Sequence, residues 1–215
     1  MRGKLRDELN SQGGATSTLK TLIIYAHPNP KSFNAAIRQA TEAEVKQSGG
    51  EVRTHDLYAT NFNAILKSDD FTELAAGRVP ADVQPLQDDI RWADLLVVIF
   101  PTWWAGVPAI MKGYFDRVLS NGFAFKYGPG GAEGLLKGKR AIVFQTTGTP
   151  GEVLEPAGMT RAMTACTDMG VLQFCGLEVA AHEYFYGVPY VSDTDREQML
   201  GRVRETIGRV MPVRA

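Results

Sequence analysis

The sequence predicts an α/β domain: a doubly wound parallel sheet of five strands in the order 2-1-3-4-5, with helices on both faces. Three observations predict it. Short apolar runs rich in branched residues alternate with amphipathic segments along the chain, the pattern of strands joined by helical crossovers. The central run, Leu95-Leu96-Val97-Val98-Ile99-Phe100, is apolar at every position, which suits a strand buried on both faces. No repeat and no second composition regime divides the 215 residues, so one core is expected.

Thr21-Leu22-Ile23-Ile24-Tyr25-Ala26 reads as the first strand, stopped by the prolines of His27-Pro28-Asn29-Pro30. Ser32 is a favoured N-cap for a helix from about Phe33 to Gln47, which Gly49-Gly50 ends. Glu51 to Leu57 is a second, shorter strand. Tyr58 to Arg78 reads as irregular, packing over a sheet edge or a partner subunit. Val83, Leu86 and Ile90 mark a helix before the central strand. Beyond that strand, Val107, Ile110 or Met111, Tyr114 and Val118 recur at three- and four-residue steps, and Pro108 fits the first turn of the helix they define. Gly128 to Gly134 is glycine-rich without phosphate-loop spacing and reads as a mobile loop. Ala141 to Thr147 is a fourth strand, Thr160 to Phe174 a helix ended near Gly176, Leu177 to Tyr186 a fifth strand, and Asp193 to Val210 a closing helix.

Composition excludes several classes. Lys+Arg 23 against Asp+Glu 24 leaves a formal charge of −1, so no global field draws the chain to nucleic acid or an anionic membrane. No stretch approaches the roughly 18 apolar residues of a membrane span. Cys166 and Cys175 form no CxxC pattern and read as small buried hydrophobes in a reducing compartment, with no metal site. Residues 1–18 mix charge with Ser11-Gln12-Gly13-Gly14 and lack an apolar core, so the expectation is a disordered arm before a domain over 19–215, in a cytoplasmic protein.

Ligands of open α/β sheets bind at the carboxyl ends of the strands. Right-handed crossovers bring three loops to that edge: His27 to Asn34, Pro101 to Val107 and Thr146 to Gly151. The first opens a helix, whose unpaired N–H groups and positive dipole end suit a phosphate, with Ser32, Asn34 and His27 as further donors. Taken singly, Ser32 reads better as an ordinary cap and His27 as a strand-end hydrogen bond; their position after the first strand tips the balance toward a phosphate. No Gly-Lys-Ser/Thr follows, so this is no Walker loop, and the turn lacks the glycines of a dinucleotide fingerprint. In the second loop Trp103 and Trp104 form either a flat wall for a planar heteroaromatic ring or a cover for the sheet end or a subunit contact. The third loop neighbours both and could meet the polar edge of such a ring.

Together these pieces resemble the NAD(P)H:quinone oxidoreductase family of flavodoxin-like flavoproteins. The resemblance is carried by Tyr25-Ala26-His27-Pro28 with Ser32-Phe33-Asn34, Asp56-Leu57-Tyr58 with Asn61-Phe62-Asn63, Pro101 to Pro108 with Lys112-Gly113 and Asp116-Arg117-Val118, Phe123-Ala124, and Thr146-Thr147-Gly148. The pieces stand in the family's order from about residue 20 to 210. It implies a flavin, FAD with FMN as the alternative, and NAD(P)H as co-substrate. It places His27, Ser32, Phe33 and Asn34 at the flavin phosphates. It places Pro101, Thr102, Trp103, Trp104 and Ala105 along the isoalloxazine, and Thr146, Thr147, Gly148 and Thr149 along its pyrimidine edge. Tyr127 is similar to a substrate-pocket tyrosine, and Arg196, at shifted spacing, to a basic residue near the adenine. Gly148, Thr149 and Tyr127 are the implied catalytic positions.

The implied activity is ping-pong hydride transfer from NAD(P)H to a quinone, azo or nitro acceptor, in a homodimer with its active site at the subunit boundary. The sequence departs from the vertebrate pattern in four places: Leu154 and Thr160 stand where a tyrosine and a histidine are expected, Ala105 replaces a pocket-closing phenylalanine, and Phe125 a second pocket tyrosine. The tyrosine and histidine relay therefore does not carry over. Either the N–H groups of Gly148 and Thr149 stabilise the ring alone or turnover is slower, and Ala105 implies a wider pocket. Two rival readings share the flavin motifs: a regulatory subunit that gates a membrane transport system, and an electron-carrier flavodoxin, which the near-zero charge and the tryptophan pair disfavour.

Overall fold

The computed structural model describes residues 18–211, so of the predicted arm only Thr18 is included, and residues 212–215 lie outside it. Strands β1 (Lys20–Tyr25) and β2 (Glu51–Asp56) flank helix α1 (Phe33–Gln47). Helices α2 (Ser68–Ala75) and α3 (Gln84–Trp92) lead to β3 (Leu95–Pro101), which α4 (Ala109–Val118) follows. A hairpin of β4 (Phe125–Gly128) and β5 (Gly131–Gly134) precedes β6 (Arg140–Thr146). After it come α5 (Gly151–Leu154), α6 (Met159–Thr164) with a π-helical continuation over Ala165–Gln173, β7 (Glu178–Phe185) and α7 (Asp193–Val210).

Five strands pair in parallel in the order β2-β1-β3-β6-β7. With the separate hairpin set aside, this is the predicted 2-1-3-4-5 arrangement of a flavodoxin-like fold. Because side chains alternate along a strand, each central strand feeds two cores. Leu22, Ile24, Leu96, Val98, Phe100, Ala141 and Val143 pack with Ile90, Met111, Tyr114 and Leu172 on one face. Ile23, Tyr25, Leu95, Val97, Ile99, Ile142 and Phe144 pack with Ile37, Val45, Val203 and Ile207 of α1 and α7 on the other. Among the described residues no helix is long and apolar enough to cross a membrane.

Several expectations need correction. The segment 58–78, expected to be irregular, contains α2. Its first turn is pinned by charge: Arg117 Nε and Nη2 donate to the two Asp70 carboxylate oxygens at 3.1 and 2.9 Å, and Nη1 donates to Asp82 Oδ2 at 2.6 Å. The glycine-rich loop is instead the β4–β5 hairpin, which docks closely: a Cβ on Gly134 would lie 2.3 Å from the Gly176 nitrogen. Pro108 caps α4 rather than lying inside it. Of the two thiols expected to be buried, Cys175 is and Cys166 is exposed.

Strand β7 carries an irregularity that periodicity alone does not disclose. Its register shifts between Ala141 and Ile142, which pair with Val179 and Ala181 and leave Ala180 extra. A bulge of this kind inverts the alternation beyond it. Val179 therefore packs on the α4 side while Ala181 and Phe185 pack on the α7 side. His182, Tyr184 and Tyr186 end up in one stack, with ring centroids 4.5 and 5.5 Å apart and nearly parallel planes.

Candidate active site

The carboxyl edge of the sheet holds a cavity of about 300 Å³ lined by His27, Ser32, Phe33, Asn34, Pro101, Thr102, Trp103, Thr146, Thr147 and Gly148, closed by Val188 and Pro189. Ten of the residues expected at a ligand thus converge from three separate loops. Four do not. Trp104 and Ala105 point elsewhere, Thr149 is not in the lining, and Tyr127 sits on the hairpin with 70% of its surface exposed.

The α1 end of the cavity is organised around its cap. Ser32 Oγ accepts the Ala35 N–H at 3.1 Å and lies 3.4 Å from the Tyr25 hydroxyl. Burial pushes that phenol above its ordinary 10.0, so it stays protonated. Among the described residues the backbone N–H groups of Phe33 and Asn34 have no acceptor, as expected in a first helical turn. His27 Nδ1 accepts the Asn29 N–H at 3.0 Å, which leaves its proton on Nε2. Burial lowers the pKa of His27 below 6.5, so at neutral pH it is an uncharged donor.

The Trp loop is a tight reversal. Trp103 and Gly106 exchange two backbone hydrogen bonds of 3.0 Å, with Trp104 and Ala105 at φ 51° and 56° between them. Positive φ at both central positions is a type I′ pattern that normally takes Asn-Gly, and non-glycine residues there cost about 1–2 kcal/mol each. The consequence corrects the expected two-indole wall. Trp103 folds inward, 6.3 Å from the His27 ring, whereas Trp104 stands wholly in solvent. Ala105 instead lines a second cavity of about 300 Å³ with Gly106, Lys112, Gln145, Met163 and Cys166.

The third loop is held from both sides. Thr102 N–H donates to the Thr146 carbonyl at 2.7 Å, and Val188 N–H to the Thr147 carbonyl at 3.0 Å. The Thr147 hydroxyl donates to the Thr149 carbonyl at 2.6 Å. Among the described residues the N–H groups of Gly148 and Thr149 have no acceptor. Arg196 lies outside the lining but donates to the Val188 carbonyl at 3.0 Å, bracing the wall that sequence reasoning did not include. The carboxyl-edge rule applies to the loop after β7 as well, so Val188 and Pro189 were within reach of that rule. Gln145, His182 and Asp168, linked behind Thr102, carried no such signal. Thr160, at the expected histidine position, lies 3.2 Å from the Tyr186 hydroxyl.

A helix N-terminus with unused N–H groups, a half-buried indole and a free N–H on the third loop thus share one groove. The family pattern described as a flavodoxin-like fold matches residues 19–207. An uncharacterized NAD(P)H oxidoreductase of Haemophilus influenzae is 39% identical over 180 residues, covering 83% of this chain and 89% of its own. The ribosyldihydronicotinamide dehydrogenase [quinone] of Mus musculus is 33% identical over 201 residues, covering 84% and 87%. The solved NAD(P)H:quinone oxidoreductase from Methanothermobacter marburgensis superposes with a TM-score of 0.80 at 28% identity, over 93% of this chain and all of that one. The chain belongs to this family of flavodoxin-like fold, among relatives named as NAD(P)H and quinone oxidoreductases.

Proposed function

We propose that this chain is a flavin-dependent oxidoreductase that passes hydride from NAD(P)H to a quinone-class acceptor, azo and nitro compounds included, the two substrates using one ring face in turn. The observation that carries the reading is the convergence in one cavity of the α1 N-terminus and the Thr146–Gly148 edge, both with unused donors. A buried orphan supports the fit. Asn34 is 3% exposed, and its Oδ1 has no partner although Nδ2 donates to Thr146 Oγ1 at 2.8 Å. Because a threonine hydroxyl can donate as well as accept, the amide can turn over and offer its NH₂ group to an anion instead.

In this reading His27 Nε2, Asn34 and the first-turn N–H groups hold the phosphates of FAD or FMN. Trp103, Pro101 and Thr102 border the ring, and the Gly148 N–H meets its pyrimidine edge, where it favours added negative charge. A bound flavin would supply the hydride chemistry, and these residues would orient it and limit water. Tyr127 lies outside the cavity, so its role at the acceptor requires a second subunit to bring the hairpin over the site. Exposed Trp104, Met169 and Phe71 are apolar surface available to such a subunit contact. Free Cys166 and Cys175 fit a reducing, cytoplasmic setting.

The test is a visible spectrum of the purified protein before and after anaerobic NADH or NADPH, with the released cofactor weighed. A yellow protein that bleaches and is reoxidised by a quinone supports the reading, and the mass separates FAD from FMN. A colourless protein that takes up neither flavin overturns it.

A further inference from the structure

Behind the Thr102 hydroxyl runs a line of hydrogen bonds that the proposed reaction leaves unexplained. Gln145 Nε2 donates to Thr102 Oγ1 at 2.7 Å, and Gln145 Oε1 lies 3.2 Å from His182 Nε2. His182 Nδ1 lies 2.8 Å from Asp168 Oδ1. Gln145 is 1% exposed, and the side chains of His182 and Asp168 are 5% and 10% exposed. The bulge in β7 turns His182 to this face, and the π-helical stretch presents Asp168 to it.

Counting protons along the line shows that it has two settings. In the first, both His182 nitrogens donate, Nδ1 to the Asp168 carboxylate and Nε2 to the Gln145 amide oxygen. Thr102 then accepts from Gln145, and its own hydrogen is free to donate into the cavity. With one proton fewer, Nδ1–H stays on Asp168 and Nε2 becomes an acceptor. The Gln145 amide turns over to donate to Nε2, and its oxygen takes the Thr102 hydrogen. Both settings use the same heavy-atom positions.

We infer that Asp168, His182 and Gln145 are positioning residues that decide whether the Thr102 hydroxyl donates or accepts at the flavin ring, according to whether His182 holds two protons or one. The inference rests on the flavin reading above. A hydride brings the ring two electrons and one proton while the nicotinamide leaves oxidised, so the ring gains one negative charge. A proton drawn from water onto His182 balances that charge and turns the Thr102 hydrogen toward it. This offers compensation of the ring's added charge in a chain with Leu154 and Thr160 where the resemblance expects a tyrosine and a histidine.

The charges that face His182 are few. Asp168 comes from the π-helical stretch; Gln145 of β6 and the Met163 sulfur, 3.5 Å from Gln145 Nε2, are neutral. Tyr184 stacks on His182, and burial pushes its hydroxyl up to about 12. Tyr186 stacks beyond it with its pKa also raised, chiefly by burial and further by Glu155. Arg202, over the Phe185 ring, and the Glu183–Arg209 pair lie on the opposite face of β7.

The experiment is a reductive titration of the flavin-loaded full chain from about pH 5 to pH 9, spanning histidine titration. The variants are Thr102→Val, His182→Phe and the two together, with thermal melting followed separately. Each single variant is expected to weaken binding of reduced relative to oxidised flavin about tenfold, the double variant no further, with the His182-linked pH dependence gone from all three. In the flavin-free protein, Thr102→Val is expected to shift the His182 titration read by ¹⁵N NMR. Gln145→Leu repeats the test with the Asp168–His182 pair intact should His182→Phe fail to fold. Additive effects, or an unmoved ratio in His182→Phe and Gln145→Leu beside a moved one in Thr102→Val, overturn the relay alone. A wild-type chain that binds no flavin overturns the flavin reading and the relay with it.

Discussion

Asn34 Nδ2 donates to Thr146 Oγ1 across 2.8 Å and 112 positions of sequence. One buried bond ties the turn proposed to hold phosphate to the strand end proposed to border the ring. Asn34→Ala removes both the tie and the amide that can turn toward an anion. Flavin affinity, read by quenching of flavin fluorescence, is expected to fall about tenfold or more, the scale of a hydrogen bond to a charged group. An affinity within about twofold of wild type would place the phosphates elsewhere.

Trp104 holds a left-handed backbone with its indole in solvent, a costly conformation with no visible return within one subunit. Trp104→Gly relieves it, so an isolated subunit is expected to gain about 1 kcal/mol, seen as a higher melting temperature. A lower melting temperature that depends on protein concentration would mean that a partner subunit covers the indole.

Arg117 is the counter-charge for Asp70 and Asp82, and its hydrogen bonds hold both carboxyls below their ordinary 3.8. Arg117→Met leaves Asp70, 9% exposed at its side chain, as an uncompensated buried charge and is expected to cost about 3–5 kcal/mol at neutral pH. Asp82, 52% exposed, contributes the smaller share. Because the folded pKa values are depressed, the stabilisation is complete above 3.8 and lost as pH falls below it. Denaturant unfolding of both proteins should therefore show a gap that narrows below about pH 4. A gap independent of pH would rule out the ion pairs as its source.

Gly113 lets α4 lie directly on the segment before α2: a Cβ there would sit 2.1 Å from the Ala64 carbonyl oxygen. Gly113→Ala forces the two backbones apart and is expected to destabilise by about 1–3 kcal/mol, despite alanine's better helix propensity. A melting temperature equal to or above wild type would show that the segment yields freely.

What sequence reasoning missed shares a cause. Only Phe71 and Leu74 mark an apolar side of α2, and Phe71 is 61% exposed, so periodicity says little where Asp70 and Arg117 hold the helix. The β4–β5 hairpin has no buried alternating face, and its seat depends on Gly134 meeting the backbone of residues 175 and 176.

Apolar runs marked the three central strands, because burial on two faces leaves a continuous signal. The turn residues and the alternation with helices marked the two edge strands, and right-handed crossovers left few topologies for their order and for the edge where ligands gather. Only the folded chain decided which indole turns inward, since two adjacent positive φ angles in the Trp loop are invisible in residue types. It alone decided that His182 faces Gln145 and Asp168. One extra residue in β7 inverts its alternation, and such a bulge is set by pairing with β6 rather than by the local sequence of β7.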